Sequence, residues 1–463
     1  MARTCVSVAV LICAFALYAR TFEVAAWRGE TVAARVPDSV ETDACTAPDG
    51  LGVRFGVLLP VKYAPTAASL QRLEVCDRVS WGSAGDGPRV VEVSVPREAK
   101  PGTYSCGQMT IRVIDRVLPP AKEWKYYLDL WQHPWATARM AGVKPFSKEH
   151  YAAMRPVYEL LASAGQKTIT VSILDQPWDH QCFDAYRSMV DDADFHTFDE
   201  YVQFCLDCGL GPDISCYSLC PWTLGREIDV AKLEERWGAF LDRFVAHLKD
   251  KGWFARTLMA MDERAPEDVK KVANFVHRHA PGMRISMAGN HKPSDFDDID
   301  IDVYAQILDH VNEDFLKDIP ARRAKGFVTT HYVCCGPSRP NTFMSSGPGE
   351  AFWLGVCPAM LGLDGFLRWA WNSWPQNPRK DASYGDWTAG DTFLCYPDGE
   401  PSWRFLELRN GIIAAEKIWL LKDAGLLSDE IAKVMALYKV SDAVAGTCDF
   451  LAIRALTLKA VNR

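Results

Sequence analysis

Two adjacent carboxylates, Asp262 and Glu263, directly follow a strand-like apolar run at residues 258–261. Repulsion between neighbouring carboxylates favours a proton on one of them, so such a pair can supply an acid and a base together. The structural alternative is a helix start. Acidic side chains are stabilised at the positive end of a helix dipole, and Pro266 opens a predicted helix just beyond the pair. The elements around the pair must decide between these roles.

Strand-like and helical segments alternate from Lys125 to about Leu421. One predicted helix has Ser147 as its N-cap and Gly165 as its stop, and the last of the series begins near Ser402. About eight such β/α units over roughly 300 residues match the size of a TIM barrel. A doubly wound sheet would alternate as well, but no Gly-rich phosphate loop follows the first strand.

The predicted fold is therefore α/β, a (β/α)8 TIM barrel preceded by a small β-sandwich domain. Residues 21–120 read as short β segments separated by turns, without helical periodicity, which favours the sandwich. A Pro-rich linker at residues 118–122 leads into the barrel, predicted over 121–425. Residues 426–463 are expected to form a short helical C-terminal tail.

The first 20 residues combine Arg3 with an apolar stretch that runs from Val6 to about Tyr18. That stretch is short for a membrane span, so it favours a cleaved signal peptide over an anchor. A buried first helix is the alternative. No later segment has an uninterrupted apolar run of transmembrane length, so we expect an exported protein, periplasmic or extracellular, without stable membrane insertion.

The charge balance bears on the partners of the protein. A formal net charge of −8 and the lack of a long basic block argue against nucleic acid or an anionic membrane as the main partner. The sequence leaves the oligomeric state open.

The 15 cysteines allow more than one interpretation. Removal of Cys5 and Cys13 with the signal peptide would leave an odd number, so complete internal pairing is impossible. Cys205 and Cys208, followed by Cys216 and Cys220, loosely resemble a zinc site. The first two lie late in a predicted helix and the others in a strand-like run, whereas zinc knuckles use tight turns. Buried small side chains, with a disulfide or two, fit better.

The predicted strand ends carry aromatic, amide and carboxylate side chains. In a TIM barrel the active site lies at these ends, and aromatic faces with hydrogen-bonding groups suit a sugar. A single Trp at a strand end more often serves packing, so the argument depends on their convergence. Besides the carboxylate pair, the candidates for substrate binding are Trp131, His133, Tyr217, Asn290, Tyr332, Trp371 and Asn372; Gln132, Asp175, Trp178, Ser218, His291, Gln306 and His331 lie at the same ends.

Metal catalysis is the competing explanation for three histidines at different strand ends. His133, His291 and His331 could converge with a carboxylate on one ion, but the sequence contains no HExxH motif. We therefore predict neither a metal site nor a cofactor.

The adjacency of Asp262 and Glu263 bears on the mechanism. Ordinary glycosidases place two carboxylates on opposite sides of the scissile bond, about 5–5.5 Å apart when retaining and about 6.5–9.5 Å apart when inverting. Sequence neighbours hardly flank one bond in this way. They suit substrate-assisted hydrolysis, in which a 2-acetamido group of the sugar attacks its own anomeric carbon. One carboxylate then orients that group, and the other acts as acid and base.

Several segments between residues 124 and 420 resemble the catalytic domain of glycoside hydrolase family 123 in the same order. They are YYLDLWQHPWATAR, LLASAGQKTIT, CYSLCPW, HLKDKGWFARTLMAMDER, PNTFMSSGPGEAFWLGV, GFLRWAWNSWPQNPRKD and GDTFLCYPDG. The resemblance implies a β-sandwich followed by a TIM barrel. It also implies removal of β-linked N-acetylgalactosamine from glycans or glycolipids by the retaining, substrate-assisted route.

The family's Asp-Glu pair falls on Asp262 and Glu263. By that resemblance Asp262 would orient and polarise the acetamido group, and Glu263 would be the acid/base. By the resemblance Tyr332, Trp371 and Asn372 are the best candidates for holding the sugar, whereas the other sugar-binding candidates rest on barrel geometry rather than on a residue-level match. Members of the family carry a further β-sandwich after the barrel, where this sequence has only the helical tail. A hydrolase acting on another hexosaminide, or a glycan-binding barrel without activity, remains an alternative.

Overall fold

The computed structural model describes residues 22–41, 45–66, 68–83, 85–173, 188–190, 194–217, 230–296 and 299–463. The predicted signal peptide lies outside these ranges. Within them, no helix combines the length and the apolar character that a bilayer crossing requires.

The N-terminal region consists of two β-sheets. A three-stranded sheet has the order β1-β7-β6 and a four-stranded sheet the order β2-β5-β3-β4. All pairs are antiparallel except β1 with β7. The strands are β1 Phe22–Arg28, β2 Thr31–Arg35, β3 Gly52–Tyr63, β4 Leu73–Trp81, β5 Arg89–Ser94, β6 Gly102–Cys106 and β7 Met109–Val117.

Apolar side chains from both sheets form one core, as expected of a sandwich. Val24 and Ile111 of the first sheet share this core with Val91 and Val93 of the second. A disulfide joins Cys106, the last residue of β6 and a member of this core, to Cys45, which packs against it. The prediction of a sheet-rich N-terminal region is confirmed.

The barrel strands form a parallel eight-stranded sheet, in which β8 pairs with β15. The predicted α/β barrel fold is thereby confirmed. Its strands are β8 Tyr127–Leu130, β9 Thr168–Ser172, β10 Asp213–Tyr217, β11 Thr257–Asp262, β12 Arg284–Gly289, β13 Val303–Ile307, β14 Val328–Tyr332 and β15 Gly365–Arg368.

Two glutamine side chains close the barrel between β8 and β9. Among the residues that the structure describes, main-chain pairing there consists of the bridge between Leu128 and Gln166 and the hydrogen bond that the Lys167 N–H donates to Leu128 O. The Gln166 side chain accepts from the Leu130 N–H at 3.0 Å and donates to Leu130 O at 3.2 Å. Gln132 accepts from the Thr170 N–H at 2.8 Å. Both glutamines are buried, so their amides replace missing ladder bonds at the seam.

The helices cover the outside of the barrel. The N-cap predicted at Ser147 is present, and Ser402, near which the last helix was predicted to begin, also caps its helix. Ser147 accepts from the His150 N–H, and Ser402 accepts from the Phe405 N–H. The helices are α1 Pro134–Ala141, α2 Lys148–Ala162, α3 His196–Asp207, α4 Val230–Asp250, α5 Pro266–His279, α6 Glu313–Leu316, α7 Ile319–Ala324, α8 Glu350–Leu361 and α9 Trp403–Asp423.

Helix α9 is buried on nearly all sides because the sandwich covers its outer face. Three of its cations meet sandwich carboxylates, and all six side chains are at least nine-tenths buried. The pairs are Arg404 with Asp77 at 3.0 Å, Arg409 with Glu92 at 2.7 Å, and Lys417 with Glu30 at 2.6 Å.

The C-terminal tail folds into three short helices, α10 Asp429–Met435, α11 Val440–Val444 and α12 Phe450–Val461. Its end lies against the sandwich, since Trp27 Nε1 donates to Val461 O at 3.0 Å and Arg112 donates to Asn462 O at 2.8 Å. Cys205, Cys208 and Cys216 are buried, while Cys220 lies outside the described residues.

Candidate active site

The carboxylate pair lies at the end of β11, the fourth barrel strand. Leu258 and Ala260 of this strand face the barrel interior, where each belongs to an apolar cluster formed by several strands. Because side chains alternate along a strand, Asp262 is the next inward position. It therefore lies at the open end of the barrel formed by the carboxyl ends of the strands, which we call the mouth. Asp262 and Glu263 are both partly exposed. The pair therefore precedes helix α5 but does not belong to its first turn.

A left-handed backbone at Glu263 turns its side chain into the same mouth. Strict alternation would place the side chains of Asp262 and Glu263 on opposite faces of the sheet. Glu263 instead has φ of 44°, which ends the extended run, and its N–H donates to Ala288 O of β12 at 2.8 Å. A positive φ is uncommon for a residue other than glycine and costs about 1–3 kcal/mol, so such outliers concentrate at functional sites.

Tyr332 holds the Glu263 carboxylate across the mouth. This residue ends β14, is 3% exposed, and its hydroxyl donates to Glu263 Oε1 at 2.7 Å. Burial raises the pKa of Tyr332 well above its ordinary value, and the negative charges of Glu263 and Asp262 raise it further. The tyrosine thus remains a neutral hydrogen-bond donor to the acid.

The floor of the mouth is apolar and divides into two parts. We call it the mouth cluster; its buried members are Trp131, Tyr217, Ala260, Ala288, Ala305, Tyr332, Leu367, Trp369 and Ala370. Alanines occupy the floor on the adjacent strands β11, β12 and β13, beside the carboxylate pair. Aromatic rings occupy other strand ends, where Trp131 and Tyr217 lie 4.5 Å apart between ring centroids. The small residues leave space next to the acids, and the rings provide apolar surface suited to a sugar face.

Trp369 and Trp387 are aromatic residues of the mouth that were not among the candidates predicted from the sequence. Their ring centroids lie 4.7 Å apart, and Trp387 packs against the mouth cluster. Trp369 Nε1 donates to Asp391 Oδ1 at 3.1 Å, and Asp391 forms a fully buried ion pair with Arg368 at 2.8 Å. Trp369 belongs to the apolar segment GFLRWAWNSW. The apolar pattern of this segment predicts a longer strand, but β15 ends at Arg368.

His133 and Asn372 are buried together behind the mouth. The His133 N–H donates to Asn372 Oδ1 at 2.9 Å, and Asn372 Nδ2 donates to His133 O at 3.1 Å and to Thr137 Oγ1 at 3.2 Å. His133 Nε2 donates to Trp369 O at 3.2 Å, and burial lowers the pKa of His133 to about 4. These contacts indicate that both residues hold the backbone at the ends of the strands that form the mouth. Direct sugar contact by either residue stays a prediction.

Trp371 is fully buried and packs towards α9. Its ring lies 4.8 Å from that of Phe405, and its N–H donates to Trp131 O. Its contacts in this structure are with the core, whereas Trp131 and Tyr217 line the mouth. Sugar binding by any of the three stays a prediction.

The remaining strand-end candidates fall into two groups. Asn290 is exposed beyond β12, and its carbonyl accepts from His310 Nδ1 at 2.8 Å. Gln306 and His331 are buried neighbours on β13 and β14. His331 faces helix α8, where its Nε2 donates to Leu354 O at 3.2 Å. Asp175, Trp178 and Ser218 lie outside the described residues.

The histidines are not gathered around one ion. His331 faces the helix layer and His133 is hydrogen-bonded to Trp369, while His291 lies 3.9 Å from Asp295. Among the described residues, no three His, Cys, Asp or Glu side chains are arranged as metal ligands.

A buried acid lies beneath the mouth. Asp129 of β8 accepts from the Thr168 hydroxyl, and burial raises its pKa to about 6. The pKa of Asp129 is also affected by a hydrogen bond from Trp131, which lowers it, and by the charge of Asp213, which raises it. The mouth aromatic Trp131 is thus tied to a polar layer inside the barrel.

The sequence profile described as "Glycoside hydrolase 123, catalytic domain" matches residues 131–421, more than half of the chain. The chain belongs to glycoside hydrolase family 123. The matched range contains the carboxylate pair, the mouth cluster and Tyr332. This family 123 protein is therefore a glycosidase, whose substrate is a glycan.

One solved structure shares the fold over nearly the whole chain. A family 123 glycoside hydrolase from Clostridium perfringens, studied for glycolipid glycan hydrolysis, is 21% identical and has a TM-score of 0.80. The match covers 96% of this chain and 93% of that chain, which shows a shared fold. Among curated proteins, no sequence matches this chain.

Other glycosidases are similar only at a much lower level. A family 5 mannosidase from Rhizomucor miehei has a TM-score of 0.36 at 14% identity, with 64% of this chain and 94% of that chain covered. A family 10 xylanase from termite gut has a TM-score of 0.38 at 10% identity, with 87% and 100% covered. Neither similarity supports a statement about substrate.

Proposed function

We propose that this family 123 glycosidase removes β-linked N-acetylgalactosamine from glycans or glycolipids by a retaining, substrate-assisted mechanism. One observation carries the proposal: two consecutive carboxylates share the mouth at the end of β11, and Tyr332 holds the second of them at 2.7 Å. The Clostridium perfringens family member, whose study concerned glycolipid glycans, supports the substrate class.

In the first step the sugar supplies the nucleophile. The carbonyl oxygen of the 2-acetamido group attacks the anomeric carbon, and the bond to the leaving oxygen breaks. Asp262 would accept a hydrogen bond from the acetamido N–H and stabilise the positive charge of the oxazolinium-type intermediate. The alanine floor beside the pair gives room for this group.

Glu263 would transfer the proton in both steps. It donates a proton to the leaving oxygen, and then takes one from the water that attacks the anomeric carbon and opens the intermediate. The hydrogen bond from Tyr332 fixes the orientation of this carboxyl group, because Tyr332 is buried and its pKa is raised well above its ordinary value by burial and by Glu263. A mechanism with an enzyme nucleophile needs carboxylates on two sides of the bond, which consecutive residues do not provide.

The first test replaces the proposed acid. Glu263→Gln keeps the shape and hydrogen-bonding capacity but cannot transfer a proton, so turnover of an aryl β-N-acetylgalactosaminide should fall by roughly a hundredfold or more. Glu267→Gln, at an exposed position in the first turn of α5, is the matched control and should retain full activity. Near-normal activity of Glu263→Gln would refute the assignment.

The second test addresses substrate assistance itself. A thiazoline that mimics the oxazoline intermediate should inhibit the native enzyme competitively and bind more weakly to Asp262→Asn, which should also lose most of its activity. An enzyme with its own nucleophile would ignore the thiazoline and be trapped covalently by a fluorosugar. Trapping would therefore overturn the mechanism but not the glycosidase assignment.

A panel of aryl sugars determines the specificity. Faster hydrolysis of the N-acetylgalactosaminide than of the N-acetylglucosaminide is expected, and the reverse order would assign the enzyme to the other hexosaminide. Measurable sugar binding without turnover of any substrate would indicate a glycan-binding barrel. Addition of a chelator should leave the rate unchanged, and a loss of rate would favour a metal.

Export of the enzyme is a further part of this proposal. The apolar leader in the first 20 residues supports it, and the Cys45–Cys106 disulfide fits an oxidising compartment. Mass spectrometry of the protein from its native source should show a chain that begins near residue 20. An intact N-terminus would contradict cleavage.

A further inference from the structure

Two consecutive cysteines lie at the rim of the mouth. Cys334 and Cys335 are separated by one residue, Val333, from the end of β14, whose last residue, Tyr332, binds Glu263. Their Sγ atoms lie 3.8 Å apart. Cys334 is partly buried against the mouth cluster, whereas Cys335 is exposed. The pair is thus both accessible from solvent and in contact with the site.

The two thiols are electrostatically unequal. The hydrogen bond between them raises the pKa of Cys334, which burial raises further, and the same bond lowers the pKa of Cys335. Burial and the negative charges of Asp391 and Glu263 oppose that lowering at Cys335. Since the thiolate is the nucleophile, the exposed Cys335 is the sulfur suited to react first, and Cys334 retains its proton until the second step.

The backbone of Cys334 is fixed on both sides. Its N–H donates to Gly336 O at 3.0 Å, and its carbonyl accepts from Asn341 Nδ2 at 3.0 Å. Asn341 is itself bound by the buried Arg368, which also donates to Val333 O at 3.3 Å. A change in the geometry of the pair must therefore be taken up by the adjoining peptides, including the segment that leads back to Tyr332.

We propose that Cys334 and Cys335 are a redox-active dithiol that closes to a vicinal disulfide at the mouth and thereby lowers glycosidase turnover. The oxidant is a low-molecular-weight disulfide. The Cys335 thiolate attacks one of its sulfurs and expels one thiolate, giving a mixed disulfide. Cys334 then loses its proton and attacks the Cys335 sulfur, expelling the second thiolate. Two protein thiols are oxidised, one disulfide is reduced to two thiols, and the released protons pass to these thiols.

The geometry makes such a bond reversible. Consecutive Cα atoms lie about 3.8 Å apart across a trans peptide, below the usual range of about 4.4–6.8 Å for disulfides. A bond under this constraint is strained and more easily reduced than a structural disulfide. Cys45–Cys106, with a Cα separation of 4.7 Å and a sequence separation of 61, lies within that range and should stay oxidised under the same conditions.

Ring closure should act on catalysis through Tyr332. Bringing the sulfurs from 3.8 Å to bonding distance reshapes the loop that is clamped to β14. A displacement of about 1 Å at a catalytic group can cost roughly a hundredfold in rate, so a loss of roughly ten- to a hundredfold in kcat/KM is expected for the closed form. The expected loss of kcat/KM rests on the proposed function of the site, whereas formation of the disulfide does not.

The bond is tested by peptide mass. Chymotrypsin should release residues 333–343, which contain these two cysteines and no other. After exposure of the native enzyme to oxidised glutathione and alkylation, this peptide should carry no label and be lighter by two hydrogens. Mild reduction should restore double labelling. Cys448, a partly exposed cysteine of the tail, should form only a mixed disulfide and is the internal control.

Activity is tested on the same samples. Oxidation should lower kcat/KM reversibly in the native enzyme and in Cys448→Ser, whereas Cys335→Ser and Cys334→Ser should not show this reversible loss. A peptide that stays doubly labelled, or a closed ring without any change in kcat/KM, would overturn the inference. A chain inactive on every aryl N-acetylhexosaminide would instead refute the proposed function, while the peptide mass would still reveal whether the ring forms.

Discussion

At the scale of single residues, the site depends on one unusual backbone angle. Glu263 takes φ of 44°, and only this departure from the extended run brings two consecutive carboxylates into one mouth. Ala288 O accepts the Glu263 N–H and Tyr332 binds its side chain. These contacts stabilise a conformation that an isolated strand end would not adopt.

The hydroxyl of Tyr332 should be needed for turnover. A hydrogen bond to a charged group contributes about 1.5–3 kcal/mol. Its removal in Tyr332→Phe should lower kcat by roughly ten- to a hundredfold if it holds Glu263 in the transition state. Steady-state kinetics on the aryl substrate measure this, with Tyr104→Phe in the sandwich as control. An unchanged kcat would mean that the bond is dispensable for catalysis.

Burial of His133 should make stability depend on pH. Its pKa is lowered to about 4 by burial, against about 6.5 in an unfolded chain. Between these values the unfolded chain binds a proton that the folded one does not. The contribution of His133 therefore falls as pH drops from about 6.5 to 4, by up to about 1.4 kcal/mol per pH unit.

The comparison of variants isolates this effect from other groups. The buried acid Asp129, whose pKa is raised to about 6, contributes in the opposite sense. Between pH 7 and 4.5 the Tm of His133→Gln should fall less than that of the native enzyme, whereas His196→Gln, at an exposed helix position, should follow the native curve. Parallel curves for all three proteins would contradict the expectation.

At the scale of elements, the barrel is closed by side chains as well as by strands. Gln166 forms hydrogen bonds to both the N–H and the carbonyl of Leu130, and to Thr168 O at 2.9 Å. This dependence makes the β8–β9 seam sensitive to substitutions that would be mild on a surface, because buried main-chain groups would lose their partners there.

Gln166→Met should therefore destabilise the enzyme while preserving side-chain volume. Each buried polar group left unsatisfied costs about 1–3 kcal/mol, and the Leu130 N–H is among them. A fall in Tm of several degrees is expected by calorimetry. Gln203→Met, at an exposed position of α3, is the control and should leave Tm unchanged. Equal Tm values would show that the seam does not depend on this amide.

The order of elements and the location of the carboxylate pair were predictable from the sequence. The direction in which several side chains point, towards the mouth or towards the core, was not. The apolar run before Asp262 ends where β11 ends, so its strand-end position followed from the pattern. No sequence signal announces a positive φ at a glutamate. Trp369, rather than Trp371, lines the mouth because β15 ends at Arg368, although the apolar segment of the sequence continues beyond that residue.

At the scale of the whole molecule, the sandwich and α9 share three buried ion pairs. Burial alone would raise the pKa of Glu92, but the guanidinium groups of Arg409 and Arg54 bring it below its ordinary value. Desolvation lowers the pKa of Lys417, while Glu30 opposes this. Each buried cation of α9 is compensated by a carboxylate of the sandwich, so the sandwich and the barrel should unfold together.

Glu30→Gln should be among the most destabilising single substitutions. It leaves Lys417 buried without its carboxylate, which costs about 3–5 kcal/mol when one partner of a buried pair is removed. Asp115→Asn breaks the exposed pair with Arg28 and should cost less than about 1 kcal/mol. Thermal denaturation of both variants measures the difference, and similar Tm values would contradict a coupling through buried charge.

The bond from Tyr332 to Glu263 joins the seventh barrel strand to the fourth, across the opening. A widening of the barrel would stretch this single side-chain hydrogen bond between non-neighbouring strands without necessarily breaking the main-chain ladders between neighbouring ones. The enzyme should therefore become inactive on gentle heating while its circular dichroism is still native. The loss of catalytic rate would then report widening of the barrel before its strands and helices unfold.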